Sequence, residues 1–513
     1  MSDNSSDNAR IARNTLLLYA RMLYSLAISL FTSRVILQAL GFEDYGLYNV
    51  VGSVVTMFTF LRSAMGNATN RYIAYSIGKG EHERMRTVFA TCVSVHLIIA
   101  GVIVVLCEVV GLWMLYNKMV IPPGRMTACF WVLQMSIFTC ALGVVCVPYD
   151  AEIIAHEKMS AFAFISILDS TLKLGVAFAV KYFPYDRLLF YGFLLLLISV
   201  MNRVIYGVYC HRHFHETRLT KGRVDKGLVK EMFGFASWNL MGNMGSMVCS
   251  PVLNLFLNMF FGPVVNAARG IAMQMQSLTY QFISNFQLAV IPQITKTYAV
   301  GNLNRMRKLI ITSSKFSYFL FLFMALPIAL EAKQILSLWL GDVPDHTVSF
   351  VRITLVIMLV QSWVQPLHVA NLATGEIKKF QTWRGIVMLM MLPIAYIALK
   401  MGAAPEVVFV VQLVVSFAAQ LVMLVIIRPL IQLSFREYAY EVFIRPGFVS
   451  VLASIVPFVL YHYLPKNFWT LLLVCTVSVI SVGIFVYWLG LKKNEREMVM
   501  EKVRPVLKKL QLT

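Results

Sequence analysis

Apolar segments long enough to cross a lipid bilayer recur along the whole chain. A transmembrane helix needs about 20 consecutive, mostly apolar residues. Fourteen stretches of the sequence meet that requirement, and a soluble fold has no place for so many. They are residues 15–40, 45–70, 87–114, 126–148, 160–180, 187–209, 232–259, 264–291, 309–330, 347–372, 383–400, 404–427, 447–463 and 468–490.

The composition agrees with a membrane protein. Of 513 residues, 58% are hydrophobic and 14% are charged, against about 45–50% and about 25% in soluble domains. The net charge of +20 reflects basic cytoplasmic loops, and nucleic acid is not an expected partner. None of the eight cysteines forms a C-x-x-C pair, so neither a metal site nor a disulfide is expected.

Basic residues fix the expected orientation. If the N-terminus is cytoplasmic, thirty Lys and Arg residues fall in cytoplasmic segments and seven fall in external loops. This positive-inside bias favours an even number of helices, with both termini in the cytoplasm. The chain is therefore expected to be a multi-pass membrane protein.

Short motifs recur at an offset of 221 residues. Gly80 and the run Arg84–Arg86 match Gly301 and the run Arg305–Arg307, and Gly41 matches Gly262. Two parallel six-helix repeats are a known transporter design, with the site between the lobes. The predicted fold is therefore all-α. Its parts are an N-terminal tail (1–14), a first lobe (15–209), a basic loop (210–231), a second lobe (232–427), two added helices (428–490) and a basic tail (491–513), which could lie on anionic membrane lipids.

Polar residues follow one face of four predicted helices, two in each lobe. The segment 264–291 carries Asn266, Arg269, Ser277 and Gln287 at helical spacing, and 232–259 carries Asn243 and Asn254. Segments 15–40 and 45–70 have similar stripes. Small polar residues also join packed membrane helices, and that interpretation stays open for each helix. Four stripes on equivalent helices favour a shared hydrated cavity.

Arginines inside the predicted spans point to an anionic cargo. Arg21 and Arg62 lie deepest, while Arg34 and Arg269 are nearer the external ends, where a side chain can reach the interface. A guanidinium binds phosphate through two parallel hydrogen bonds. The predicted cargo-binding residues are Arg21, Arg62, Arg269, Arg34, Asn243, Asn254, Ser277 and Gln287.

Acidic groups in the spans are few. Asp169 and Lys173 are four residues apart, as an ion pair requires, and Glu108 lies near an external end. These three are candidates for ion coupling, although the pair can be purely structural. The sequence has no phosphate-binding G-x-x-x-x-G-K-[ST] loop. No cofactor is expected, and the energy source would be a proton gradient, a sodium gradient or the membrane potential.

Three histidines, at positions 211, 213 and 215, alternate in the stretch HRHFHE. A metal site there is conceivable, but a basic surface loop explains the stretch equally well. No nucleophile–base set is recognised, so no catalytic residue is predicted and the chain is not expected to be an enzyme.

Several short motifs resemble one transporter family. Ser33-Arg34, Leu40-Gly41, Tyr45–Tyr48 and Arg71–Ala74 look like the first two helices of polysaccharide exporters. Asn266–Gly270 and Pro292–Lys296 are similar to the eighth helix of bacterial members. In its layout of six, six and two helices, the chain resembles Wzx-type O-antigen and capsule flippases of the MATE-like, or multidrug/oligosaccharidyl-lipid/polysaccharide, superfamily.

The resemblance implies a multi-pass transporter of the bacterial inner membrane that carries an undecaprenyl-diphosphate-linked oligosaccharide to the outer leaflet by alternating access. The diphosphate would meet the cavity arginines. Expected partners are the lipid-linked glycan, membrane lipids and other membrane proteins of glycan assembly. Two alternatives remain open, a MATE-type drug or ion antiporter and a membrane enzyme of the glycan pathway.

Overall fold

The computed structural model describes residues 3–59, 82–156, 158–217, 224–374 and 376–497, with isolated residues between 62 and 76 and Met500. Every regular element in these ranges is helical, and no strand occurs among them. The helices are α1 (Asp3–Thr56), α2 (His82–Asn117), α3 (Met126–Ala155), α4 (Met159–Tyr182), α5 (Arg187–His213), α6 (Lys226–Phe261), α7 (Pro263–Ala299), α8 (Leu303–Leu330), α9 (Ala332–Leu340), α10 (Thr347–Gln361), α11 (Val364–Thr374), α12 (Ile377–Leu389), α13 (Met391–Lys400), α14 (Val407–Ile431), α15 (Phe435–Tyr438), α16 (Arg445–Tyr463) and α17 (Phe468–Phe485).

The all-helical membrane fold is confirmed within the described residues. Eleven helical stretches there are long and apolar enough to cross a membrane. The stretch Arg21–Thr56 joins two predicted spans, and Val248–Phe261 is a shorter apolar helix among the fully described residues of α6. The count of fourteen spans and the location of the termini stay predictions.

Two glycines at the predicted external turns separate successive helices. Gly41 kinks α1, and Gly262 ends α6 immediately before α7 begins. Their φ angles are 76° and 81°, a region that residues with a Cβ rarely adopt. The Gly41–Gly262 match in sequence is thus also a match in backbone conformation. Gly80, the partner of Gly301, lies outside the described residues.

Side-chain caps fix several helix starts that the hydropathy windows only approximate. Asp186 accepts hydrogen bonds from the amides of Leu188 and Leu189 at the start of α5. Asp225 caps α6 in the same way. Each cap satisfies amide groups that the first turn of a helix leaves without partners.

The chain divides into two compact units. The first contains residues 1–270, 339–346 and 388–405, and the second contains 271–338, 347–387 and 406–513. The core of the first includes the buried residues Val50, Cys92 and Val132, and that of the second includes Ile310, Leu424 and Val449. In these units α6 and the first turns of α7 group with the preceding helices, and the division into lobes at residues 210–231 stays a prediction.

Close backbone packing explains that grouping. A Cβ added at Gly46 would overlap the carbonyl group of Pro263, and one at Gly270 would lie 2.9 Å from the amide group of Asn49. The amide nitrogen of Asn254 donates to the carbonyl oxygen of Asn49 at 3.1 Å. Gly46 and Gly270 therefore allow α1 and α7 to approach each other closely, and the hydrogen bond of Asn254 joins α6 to α1.

Candidate functional site

The polar stripe at the start of α1 faces α4. The Arg21 guanidinium donates to Ser166 Oγ at 3.3 Å and lies 5.0 Å from the ring centre of Phe162. One turn further along, the hydroxyl groups of Ser170 and Ser25 are 3.0 Å apart. Arg21 is half-buried. In this conformation part of the stripe therefore joins two helices, and Arg21 sits at the edge of that contact.

Arg62 occupies a different environment. Its side chain is exposed, and its guanidinium nitrogen would lie 3.2 Å from a Cβ added at Gly143 of α3. Its charge acts on the carboxylate of Asp150 and on the imidazole of His96. An exposed arginine, a carboxylate and an imidazole therefore lie around the same part of the first unit.

The other candidates in α1 and the neighbouring helices are half-buried or paired. Arg34 is half-buried. Asp169 receives a hydrogen bond from Lys173 and another from Asn202, both at 2.7 Å. Glu108 accepts a hydrogen bond from Gln134 at 3.1 Å. A coupling cation would have to compete with these partners.

Arg269 is enclosed within the first unit. Its exposed fraction is 2%, and it donates to the carbonyl and hydroxyl oxygens of Ser250 on α6 at 3.2 and 3.3 Å. Nearby, the Asn266 amide donates to Asn254 Oδ1 at 2.9 Å. A cargo could reach Arg269 only after α6 and α7 move. A buried charge is costly within a membrane, and such residues are common at functional positions in membrane helices.

The remaining candidates lie in two places. In the second unit, Ser277 is exposed and Gln287 is buried, where it donates to Ser317 Oγ and to the carbonyl oxygen of Ser362 at 3.3 and 3.1 Å. Asn243 lies on α6, and its side chain is outside the part of the chain that is described. Six of the eight candidates thus belong to the first unit and two to the second, and their role in cargo binding stays a prediction.

Several polar residues near these candidates were not among the predicted site residues. Asp150 was outside the window 126–148, but α3 continues to Ala155 and carries it. Arg203 on α5 donates to the Tyr149 hydroxyl at 3.0 Å, with its guanidinium 4.2 Å from the centre of that ring. In the second unit, Arg384 is half-buried on α12 and interacts with Tyr280 of α7. A longer helix window would have revealed Asp150, whereas the contacts of Arg203 and Arg384 have no signal in sequence.

Comparison with solved structures identifies the fold. An inward-facing multidrug-resistance MATE transporter of the MOP superfamily matches with a TM-score of 0.68 and 15% identity, over 82% of this chain and 98% of that one. The lipid II flippase MurJ, in an inward closed conformation, matches with a TM-score of 0.64 and 13% identity, over 96% and 100%. An outward-facing MATE transporter gives a TM-score of 0.59, 14% identity, and coverage of 82% and 95%.

No family model matches the chain, and no curated protein matches it in sequence. The fold is nevertheless that of the MATE and lipid II flippase structures. A likeness at 13–15% identity shows the fold alone. Membership of the superfamily, and of its Wzx-type flippases, stays a prediction.

The arrangement provides groups suited to binding an anion. Arg62 offers an exposed guanidinium, and Arg21 offers a half-buried one where α1 contacts α4. Arginine can form two parallel charge-assisted hydrogen bonds with one phosphate group. Arg269 is a third, enclosed arginine of the first unit.

Proposed function

We propose that this protein is a membrane transporter that flips an undecaprenyl-diphosphate-linked oligosaccharide across the bacterial inner membrane by alternating access. The likeness to the lipid II flippase spans nearly the full length of both chains. The MATE structures leave a larger part of this chain unmatched. The added length is consistent with the two predicted helices that follow the two six-helix repeats.

The exposed guanidinium of Arg62 is the observation that carries the choice of an anionic cargo. A charged side chain within a membrane helix costs at least about 2.5–3.5 kcal/mol on insertion scales. Such a residue is retained where it serves a hydrated path or a ligand. A diphosphate offers the charge and the paired oxygens that a guanidinium binds best.

Transport would be driven by a proton gradient, a sodium gradient or the membrane potential. Asp169, Lys173 and Glu108 remain the proposed coupling groups. Asp169 is already bound by Lys173 and Asn202. Protonation of Asp169, or its capture of a cation, would therefore release both partners and could alter the packing of α4 against α5.

Multidrug antiport is the second candidate, because the MATE structure has the higher TM-score of the two inward structures, 0.68 against 0.64. A cationic drug would be bound by buried acids, whereas the exposed charge at the candidate site is an arginine. This charge balance favours the anionic cargo. A membrane enzyme of the glycan pathway is the less favoured alternative.

Reconstitution distinguishes these candidates. The purified chain in liposomes would be given a fluorescent polyprenyl-diphosphate disaccharide, and the fraction accessible to an external quencher would be followed over time. The proposal predicts movement of the labelled lipid faster than in protein-free vesicles. Export of a cationic dye, without movement of the glycan lipid, would support antiport instead.

A further inference from the structure

A carboxylate–imidazole–carboxylate cluster lies where α3 ends. Glu152 is on the last turn of α3, His156 caps the end of that helix, and Glu216 lies in a single 3-10 turn after α5. The His156 Nε2 atom is 2.6 Å from Glu216 Oε1 and 3.3 Å from Glu152 Oε1. The orientation predicted from the basic loops places this end in the cytoplasm.

The cluster is largely enclosed, with side-chain exposures of 25% for His156, 2% for Glu152 and 10% for Glu216. The His156 ring stacks on Phe214 with 4.3 Å between ring centres and 12° between planes. Phe214 is itself 4% exposed. Its carbonyl oxygen accepts a hydrogen bond from the buried Thr217 hydroxyl at 2.8 Å, which fixes the turn that presents Glu216.

In the cluster, two carboxylates share one basic side chain. Within the described ranges, His156 is the only basic side chain within ion-pair distance of either carboxylate. One N–H group of its ring serves Glu216, and Glu152 Oε1 accepts no hydrogen bond from the described residues. Glu152 Oε1 is thus buried near an imidazole nitrogen without a hydrogen-bond donor of its own. Such a buried acceptor is unfavourable, and a bound cation would satisfy it.

The distances suit a small metal ion. One ligand atom from each of the three residues lies within 4.8 Å of the other two. Zinc bonds of about 2.0–2.2 Å in a tetrahedral arrangement place ligand atoms about 3.3 Å apart. The Nε2 to Glu152 distance already has that value, and small side-chain movements would bring the rest into range.

We propose that Glu152, His156 and Glu216 form a site for a divalent transition-metal ion of the Zn²⁺ type, with water completing the coordination. Imidazole and carboxylate donors match the preferences of such ions. The bound ion would link the end of α3 to the segment after α5. This inference does not depend on the transported cargo.

Metal binding would exchange a proton for the ion. Coordination requires the neutral imidazole and the ionised carboxylates, so any proton on these groups must leave when the ion binds.

The test is zinc titration of the tag-free, EDTA-treated full chain in detergent, followed by calorimetry and elemental analysis. One equivalent of Zn²⁺ per chain is expected. Glu216→Gln should lower the affinity for zinc by at least about 10- to 100-fold, which is the loss expected when a residue that only contacts a metal ligand is removed. The matched control replaces the exposed His211, His213 and His215 by Gln, and it should retain binding.

Two results would overturn the proposal: no zinc binding by the unaltered chain at micromolar concentration, or loss of binding in the triple histidine variant but not in Glu216→Gln. If Glu216→Gln does not purify as a single species, zinc-edge X-ray absorption of the unaltered chain decides. One imidazole with carboxylate oxygens at about 2.0–2.2 Å supports the site. A shell containing sulfur or several imidazoles contradicts it.

Discussion

Gly41 and Gly262 stand 221 residues apart and share one backbone conformation, with ψ angles of 175° and −175° at φ angles of 76° and 81°. This combination belongs to a region that is essentially restricted to glycine. Each glycine separates two helices at a predicted external turn. The internal repeat is therefore retained at the positions where the backbone itself allows only one residue type.

Alanine at either glycine should destabilise the fold through the backbone alone. Neither position has a neighbouring atom within 4 Å of an added Cβ, so the expected loss is the conformational strain of about 1–3 kcal/mol. Denaturation of the detergent-solubilised chain measures it. Gly52→Ala is the control, because Gly52 also has space but sits in a regular helix. Equal stability of Gly41→Ala and Gly52→Ala would contradict this account.

Alanine at Gly46 should act through a clash. Its Cβ would overlap the Pro263 carbonyl group, so α1 and the start of α7 must separate. Overpacking of this kind costs about 1–3 kcal/mol, enough to change a conformational equilibrium by roughly 5- to 150-fold. The expected result is increased labelling of an Asn49→Cys probe by an external thiol reagent, together with altered transport. Unchanged labelling relative to Gly52→Ala would show that this contact does not hold the helices together.

Lys315 should be far more important for stability than Lys173. Lys315 is 0% exposed, and its ammonium lies 2.6 Å from Glu495 and 3.4 Å from Glu441. Lys315→Met would leave buried carboxylates without that partner, a change that typically costs about 3–5 kcal/mol. Lys173→Met removes a more exposed ion pair with Asp169 and should cost about 1 kcal/mol or less. Similar unfolding midpoints for the two variants would refute this assignment.

Helix positions were largely predictable, because a helix that crosses the bilayer needs a run of about 20 mostly apolar residues. The predicted starts at 126 and 187 coincide with those of α3 and α5. Helices extend beyond their apolar windows, however, since the backbone remains helical where polar residues reach the interface. The window that ended at 148 therefore excluded Asp150 and Glu152, although both lie on α3.

The site was less predictable than the fold. Helical spacing shows that residues share a face, but it does not show what that face contacts. Arg21 and Ser25 share a face as expected, and that face contacts Ser166 and Ser170 of α4. Arg269 follows its stripe as well, yet it is 2% exposed. Which residues contact a polar face depends on the packing of helices that are distant in sequence. Helical periodicity carries no information about that packing.

The most direct test of the central claim compares Arg62 variants in proteoliposomes containing the fluorescent polyprenyl-diphosphate disaccharide. Arg62→Ala should slow movement of the lipid by at least about tenfold, the effect of losing roughly 1.4 kcal/mol of binding to the phosphate. Arg62→Lys should recover part of the rate, because it restores the charge without the planar fork. Arg212→Ala, which removes an exposed arginine at the end of α5, should match the unaltered chain. Full-rate movement by correctly folded Arg62→Ala would contradict a basic path for a phosphate-bearing cargo.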